Sequence, residues 1–297
     1  MNGILCINKP KEFTSFDVVK KLRGITKVKK IGHAGTLDPM ATGVLPIFLG
    51  VATKACDILP NQNKRYTASF KFGETTDTQD VWGKTTATFD KKVTLKEIID
   101  VLDNFRGEIL QTPPMYSAVQ IDGKRLYDLA RKGIEVERAA RKIHIFTLEL
   151  LEFDEKKQSG ILDIACSKGT YIRTLINDIG ESLNAGAIMT SLNRTEASGF
   201  KLAECLSIDE VENAVKNNTL QVLPIEKAFI DYPEITLSEI QTRMFSNGVK
   251  LDINRVKHSE NSEIYRIYDN NKLFLGLGKC NFETMELKVE KFFIERK

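Results

Sequence analysis

The stretch that most constrains this chain is IGHAGTLDPMATGVLPIFLG, residues 31–50. Its glycines permit backbone conformations that other residues resist, and Pro39 disfavours helical angles at Asp38. Residues 44–49 are apolar enough to form a buried strand, although Pro46 favours a strand end, an edge or a bulge. We therefore expect Asp38 to be held on a turned or extended backbone at the rim of a core.

The chemistry of Asp38 admits two interpretations. An unperturbed aspartate is ionised at neutral pH, so this side chain can serve as a nucleophile or as a counter-charge. A tight turn, closed by a hydrogen bond from the side chain to nearby backbone, is the simpler interpretation for any isolated Asp-Pro pair. The glycine-rich pattern around Asp38 is longer than a turn requires.

The run GHAGTLDPMATGVLPIFLG resembles, without a gap, the signature loop of the TruB-type RNA pseudouridine synthases, the tRNA pseudouridine-55 synthases. The resemblance implies that Asp38 is the catalytic nucleophile and that His33 belongs to the RNA-contacting part of the loop. It includes the opening run GILCINKP, which makes Lys9 a candidate substrate contact. A Lys-Pro pair that merely ends a strand explains the same residues equally well.

Three further segments are similar to the family. The KRY segment implies that Tyr66 stacks on the target base, and a phenol offers a flat apolar face for that purpose. The SKGTYIR segment implies Tyr171 in the substrate pocket and Arg173 as the ion-pair partner of the nucleophile; a purely structural salt bridge is the alternative. The SLNRT segment, where the family more often reads L-R-R-T, implies Leu192 at the pocket wall.

The resemblance also implies the organisation of the chain. We expect an α+β fold with a mixed, largely antiparallel central sheet and flanking helices, the pseudouridine synthase fold. A catalytic domain is expected over residues 1–230, with an RNA-clamping insertion at about 113–143. Residues 231–297 resemble a small β-rich PUA-like RNA-binding domain.

Local patterns predict individual elements. Helices are expected to begin near Thr14, Thr94 and Ser207, and a further helix over 52–59. In the helix that begins near Thr94, Leu95 and Ile99 are expected on the buried face. Period-two alternation predicts strands at 66–72, 143–153 and 160–167, and near 264–268, 273–279 and 285–293.

Composition restricts the function classes. The net charge is only +3, but basic residues cluster within residues 1–40 and again at 124–142, which suits a polyanionic partner. The five cysteines are widely scattered and no zinc or calcium pattern is present, so we expect no metal, cofactor or structural disulfide. No apolar run approaches a membrane span and no leader pattern precedes the chain, so we expect a cytoplasmic protein without a membrane contact.

The expected activity is the isomerisation of uridine 55 to pseudouridine in the T-arm stem-loop of tRNA, without an obligatory protein partner. The alternative is a non-catalytic RNA-binding or tRNA-folding chaperone that uses the same surface. A retaining glycosidase is a third candidate, and it would need a second carboxylate about 5 Å from Asp38.

Overall fold

The structure is a computed structural model in which residues 1–294 are described. The α-helices are α1 (Ser15–Thr26), α2 (Leu95–Leu102), α3 (Leu126–Ala130), α4 (Ile172–Ser182), α5 (Ile208–Lys216) and α6 (Glu239–Ser246). The strands are β1 (Gly3–Lys9), β2 (Ile31–His33), β3 (Thr42–Leu49), β4 (Lys64–Phe72), β5 (Glu74–Thr76), β6 (Thr85–Thr88), β7 (Gly107–Gln111), β8 (Gln120–Ile121), β9 (Lys124–Arg125), β10 (Arg141–Asp154), β11 (Ser159–Cys166), β12 (Ala187–Ala197), β13 (Phe200–Lys201), β14 (Glu234–Thr236), β15 (Leu251–Asp252), β16 (Ile264–Tyr268), β17 (Phe274–Asn281) and β18 (Glu286–Phe292).

Several helices begin where the sequence predicts, because local hydrogen bonds fix their first turns. In α1, α2, α5 and α6 the N-cap hydroxyl accepts from the third residue, whose side chain accepts from the N-cap amide. These capping boxes are Thr14–Asp17, Thr94–Glu97, Ser207–Glu210 and Ser238–Gln241. The predicted starts of α1, α2 and α5 are confirmed.

Two local predictions were wrong. In place of the helix expected over 52–59, the structure has a 3-10 helix over Gly50–Ala55. Just after it, the Ile58 amide also bonds three residues back, to the Ala55 carbonyl. In α2, Ile98 and Leu102 are buried, whereas Leu95 is 46% and Ile99 53% exposed. The helix contacts the core along the stripe of Ile98, Val101 and Leu102, so Leu95 and Ile99 face solvent.

The central sheet has nine strands. Its main path runs β1-β3-β12-β4-β11-β10-β7, with β2 added to β3 and β13 to β12. Adjacent strands are antiparallel except β3 and β12, which are parallel at Thr42 and Gly43. Alternation along β4 points Tyr66, Ala68 and Phe70 into a core that α2 and α4 cover. At the other end, α1 and α5 pack on β1 and β3.

Strand β3 lies inside the sheet, although it contains Pro46. On one side it pairs with β1 along nearly its whole length. On the other side β12 pairs at its beginning and β2 at its end, and Pro46 lies between them. The Pro46 carbonyl accepts from Ala34 at 3.0 Å, so its proton-free nitrogen faces the place where β2 stops. Pro46 is therefore accommodated between the stretches of β3 that pair with β12 and with β2. It does not lie at the strand end, edge or bulge expected from the sequence.

A second sheet of five strands follows, in the order β14-β16-β17-β18-β15, with Phe245 of α6 in its core. Strands predicted near 264–268, 273–279 and 285–293 are confirmed as β16, β17 and β18. Aromatic residues of this sheet, Tyr268 and Phe274, share a core with Phe48 and Phe229 of the preceding part of the chain. The two sheets are therefore joined by an apolar interface.

The architecture confirms the predicted α+β class with a largely antiparallel central sheet and a small β-rich C-terminal part. The division into residues 1–230 and 231–297 stays a prediction, and the last three residues of the second range lie outside the described part. No helix among residues 1–294 is both long and apolar enough to cross a membrane.

The parallel pairing of β3 with β12 generates a stability prediction. Gly43 has a φ of +102°, and a Cβ there would overlap the main-chain carbonyl of Arg194. We expect Gly43→Ala to lower the free energy of unfolding by about 3 kcal/mol or more, from backbone strain plus overpacking. Gly123→Ala is the control, because Gly123 has a φ of +75° and open space around it, so only about 1 kcal/mol is expected. Equal losses in urea unfolding would contradict this account.

Candidate active site

The loop between β2 and β3 holds Asp38 at the surface of the core. Its neighbour Leu37 is anchored to Ser15, the buried first residue of α1: the Leu37 amide donates to Ser15 Oγ at 2.9 Å, and that hydroxyl donates to the Leu37 carbonyl at 3.3 Å. The Ala41 amide closes the turn on the Asp38 carbonyl at 3.0 Å. The backbone is thus fixed on both sides of Asp38, whose side chain is 40% exposed.

The Asp38 carboxylate is paired with Arg173, which lies in the first turn of α4. Arg173 Nη2 is 3.1 Å from Asp38 Oδ2, and the arginine side chain is only 6% exposed. Its other contacts are main-chain carbonyls: Nη2 donates to Tyr116 at 2.7 Å and Nη1 to Thr78 at 3.3 Å. A guanidinium held in this way presents a fixed positive edge to the carboxylate.

The Thr78 carbonyl is itself held by a polar turn that follows β5. Asp80, which is buried, accepts from Thr78 Oγ1 at 2.7 Å and from the Trp82 amide at 3.0 Å. The turn docks on β12, because the Val81 amide donates to the Met189 carbonyl at 3.1 Å. This segment therefore supports the Arg173 side chain through the Thr78 carbonyl.

Lys9 lies beneath the loop with no exposed surface. Its ammonium group donates to the carbonyls of Phe13 at 2.6 Å, Pro10 at 3.0 Å and Pro39 at 3.3 Å. Burial lowers the pKa of Lys9 to about 8, and the negative charge of Asp38 partly opposes that shift. The resemblance made Lys9 a candidate substrate contact; in the structure its ammonium group is enclosed by these three carbonyls.

Arg194 is a second cation beneath the loop, and sequence reasoning missed it. It is fully buried, and it donates to the carbonyls of Val44 at 2.8 Å, Gly35 at 2.8 Å and Thr36 at 3.4 Å. The signal was present in the sequence: Arg194 stands two residues after Leu192 on β12 and so shares its inward face.

Three predicted pocket residues lie on the strands and the helix next to this loop. Tyr66 is 6% and Leu192 8% exposed, and both belong to the core cluster that includes Leu37 of the loop. Burial raises the pKa of the Tyr66 phenol. Tyr171 is half-buried at the N-cap of α4, and Gln111 holds its backbone through bonds of 2.8 and 3.1 Å.

His33 ends β2 immediately before the loop. It is half-buried, and its Nδ1 has no hydrogen-bond partner among the described residues. Burial, followed by the positive charge of Arg194, lowers the pKa of the imidazole, which favours its neutral form at neutral pH.

Two exposed basic surfaces belong to segments that contact the Asp38 loop or Arg173. One is the outer face of α1, with Lys20, Lys21, Arg23 and Lys27; the other lies in the insertion, with Lys124, Arg125, Arg131 and Lys132. The first is connected to the loop through Ser15, and the second through the Tyr116 carbonyl on Arg173. Within residues 1–294 no group of three or more His, Cys, Asp or Glu side chains could hold a metal ion.

Three family models match the sequence in succession. They are described as TruB family pseudouridylate synthase (N terminal domain) over residues 23–172, tRNA pseudouridylate synthase B C-terminal domain over 173–229, and Pseudouridine synthase II TruB, C-terminal, over 233–284. A tRNA pseudouridine synthase B of Clostridium tetani is 44% identical over 294 residues, 97% of this chain and 100% of that protein. One of Lactobacillus johnsonii is 44% identical over 263 residues, 86% of this chain and 88% of that protein.

Solved structures share the fold. A chain of a Cbf5-Nop10-Gar1 complex matches with a TM-score of 0.76 and 26% identity, over 99% of this chain and 85% of that chain. A chain of an H/ACA RNP bound to a substrate RNA containing 2'-deoxyuridine matches with a TM-score of 0.74 and 24% identity, over 99% and 86%. The second likeness concerns the fold alone.

The buried position of Lys9 predicts a pH dependence of stability. The unfolded side chain has its ordinary pKa of 10.5 and the folded one a pKa of about 8. Between these values the unfolded chain binds more protons than the folded chain, so the contribution of Lys9 to stability rises with pH, by at most about 1.4 kcal/mol per unit.

We therefore expect the free energy of unfolding of the wild type, minus that of Lys9→Met, to increase from pH 8 to pH 10.5 in urea titrations. The half-buried Lys64, whose pKa is also lowered to about 8, is present in both proteins, so its contribution cancels. Parallel pH profiles would show that Lys9 keeps its ordinary pKa in the folded state.

Proposed function

Because this chain belongs to the TruB family of pseudouridylate synthases, we propose that it isomerises uridine 55 to pseudouridine in the T-loop of tRNA, with Asp38 as the nucleophile. The observation that carries the proposal is the Asp38–Arg173 pair, in which an accessible carboxylate is held at 3.1 Å by a buried guanidinium. The relatives named tRNA pseudouridine synthase B support the substrate class.

The reaction needs few participants. The bond between N1 of the base and C1′ of the ribose breaks, C5 of the base forms a new bond to C1′, C5 loses its proton to solvent and N1 gains one. Asp38 forms a transient covalent bond to the nucleotide, at C6 of the base or at C1′ of the ribose. The rearrangement uses no external group, and the detached base must be retained while it turns.

We propose that Tyr66 and Leu192 form the wall that retains the base, with Tyr171 at its edge. Tyr66 has an apolar ring face and Leu192 a side chain without polar atoms, and both belong to the cluster that contains the loop residue Leu37. His33, which favours its neutral form, stands on the strand that enters the loop and is assigned to the RNA. Lys9 is assigned to the support of the Pro39 carbonyl, and through it to the orientation of Asp38.

The target base must be flipped out of the stacked T-loop to reach this site. The exposed basic faces of α1 and of the insertion would bind phosphates on either side of the flipped nucleotide. We propose that residues 113–143 clamp the RNA, and that residues 231–297 form a PUA-like domain that positions the rest of the tRNA. We also propose that the protein acts in the cytoplasm and needs no protein partner.

Replacement of the nucleophile separates catalysis from binding. We expect Asp38→Asn to lower tritium release from a T-arm stem-loop containing 5-tritiated uridine by at least about 10³-fold. The affinity for the same RNA, measured by fluorescence anisotropy, should change little, because the amide keeps the size of the carboxylate.

Asp100→Asn is the matched control and should leave release and affinity unchanged, because Asp100 is exposed on α2, outside the Asp38 loop and the proposed clamp. Normal tritium release by Asp38→Asn would exclude Asp38 as the nucleophile. Tight binding without any release by the wild type would favour the RNA chaperone.

The position within the tRNA is tested with the purified protein and no other component. A stem-loop with cytidine at position 55 should give no pseudouridine by mass mapping, although its other uridines remain, and free uridine should not react. Pseudouridine at another position of the stem-loop would contradict the assignment of uridine 55.

A further inference from the structure

Cys6 and Cys205 lie side by side, although 199 positions separate them in the sequence. The Leu206 amide donates to the Cys6 carbonyl at 2.9 Å, and the Asn8 amide donates to the Leu206 carbonyl at 2.9 Å. These bonds make Ile7 and Leu206 partners in a parallel bridge. Cys205 is also extended, with φ −87° and ψ 139°, so the next pair in register is Cys6 with Cys205.

The two thiols point to the same side of this bridge. Ile7 and Leu206 pack in the cluster beneath α1, whereas Cys6 and Cys205 both pack in the opposite cluster, as alternation along an extended chain requires. A hydrogen bond with the Cys205 thiol is the main cause that raises the pKa of Cys6. Paired strands lie about 4.8 Å apart, and a disulfide joins Cα atoms about 4.4–6.8 Å apart.

Access to the pair is unequal. Cys6 is 3% exposed, whereas Cys205 is only half-buried and its sulfur lies 3.5 Å from the Lys201 carbonyl near the surface. A small oxidant would therefore reach Cys205 first, and Cys6 would be the nearest thiol to the oxidised sulfur. This is the arrangement of an accessible thiol with a protected resolving thiol.

We propose that Cys6 and Cys205 are a modification site that forms a reversible intramolecular disulfide on exposure to a hydroperoxide. The Cys205 sulfur attacks the peroxide, the O–O bond breaks, and a sulfenic acid and an alcohol or water form. The Cys6 sulfur then attacks the Cys205 sulfur, the S–O bond breaks and water leaves. In total, two thiols are oxidised to one disulfide and one hydroperoxide is reduced; excess thiol reverses the reaction.

The disulfide should form without loss of the fold, because the main-chain bonds between the two segments already exist. It would fasten the segment before α5 to β1, which ends at Lys9 beneath the Asp38 loop. We expect the oxidised protein to gain at least about 5 °C in Tm, since the cross-link closes a long loop in the unfolded chain. The inference is independent of the function proposed above.

The test treats the intact protein with hydrogen peroxide, blocks remaining thiols and maps tryptic peptides by mass spectrometry. Cys6 falls in peptide 1–11, because trypsin does not cleave between Lys9 and Pro10, and Cys205 falls in peptide 202–216. We expect these peptides to be joined, and dithiothreitol to release them and reverse the gain in Tm. Cys205→Ser should abolish the cross-link, and Cys56→Ser, at another half-buried cysteine, should retain it.

Three results would overturn the inference. One is a native protein whose Cys205 is oxidised while peptide 1–11 stays unlinked. A second is a disulfide that joins peptide 1–11 to a peptide other than 202–216, and the third is a cross-link that forms only after circular dichroism shows loss of the fold. Serine at position 205 is a conservative change at a half-buried site, so we expect the Cys205→Ser variant to fold.

Discussion

The centre of this protein depends on cationic side chains buried beneath one loop. Arg194 and Lys9 have no exposed surface and Arg173 has very little, yet each donates to main-chain carbonyls of the segments that meet there. A buried charge costs several kcal/mol unless its hydrogen bonds are satisfied, and loop carbonyls without strand partners need donors. Here the loop carbonyls supply acceptors for the buried cations, and the cations supply donors for the carbonyls. The conformation of the Asp38 loop is therefore set mainly by residues outside it.

Much of the fold could be predicted because its signals are local. The Thr14 and Ser207 hydroxyls start helices through bonds to residues three positions on, and the alternation that begins at Tyr66 gives a half-buried strand wherever it pairs. The exposure of Ile99 could not be predicted in this way. Helical spacing shows which residues share a face, but how wide a stripe is covered depends on packing partners elsewhere in the chain.

The site shows the same division between what local sequence indicates and what tertiary packing decides. The resemblance named Asp38 and Arg173, and their ion pair is present, but the supporting groups are main-chain carbonyls that no residue pattern can display. Lys9 illustrates the difficulty: a lysine before a proline reads as a surface residue, and only the tertiary structure buries it under Pro39. Arg194 differs from Lys9: an arginine on a strand is usually taken to face solvent, and only the register set by Leu192, two residues earlier, indicates that it points inward.

The pairing of β3 with β12 also has a consequence for biosynthesis. Arg194 bonds to Val44 across 150 positions of sequence, so a ribosome must translate 194 of the 297 residues before the turn carrying Asp38 acquires its support. Closing a contact of that separation is entropically costly and slow compared with local structure. A nascent chain therefore carries its reactive carboxylate on an unformed scaffold, and any truncated product that stops before β12 would be unable to organise it.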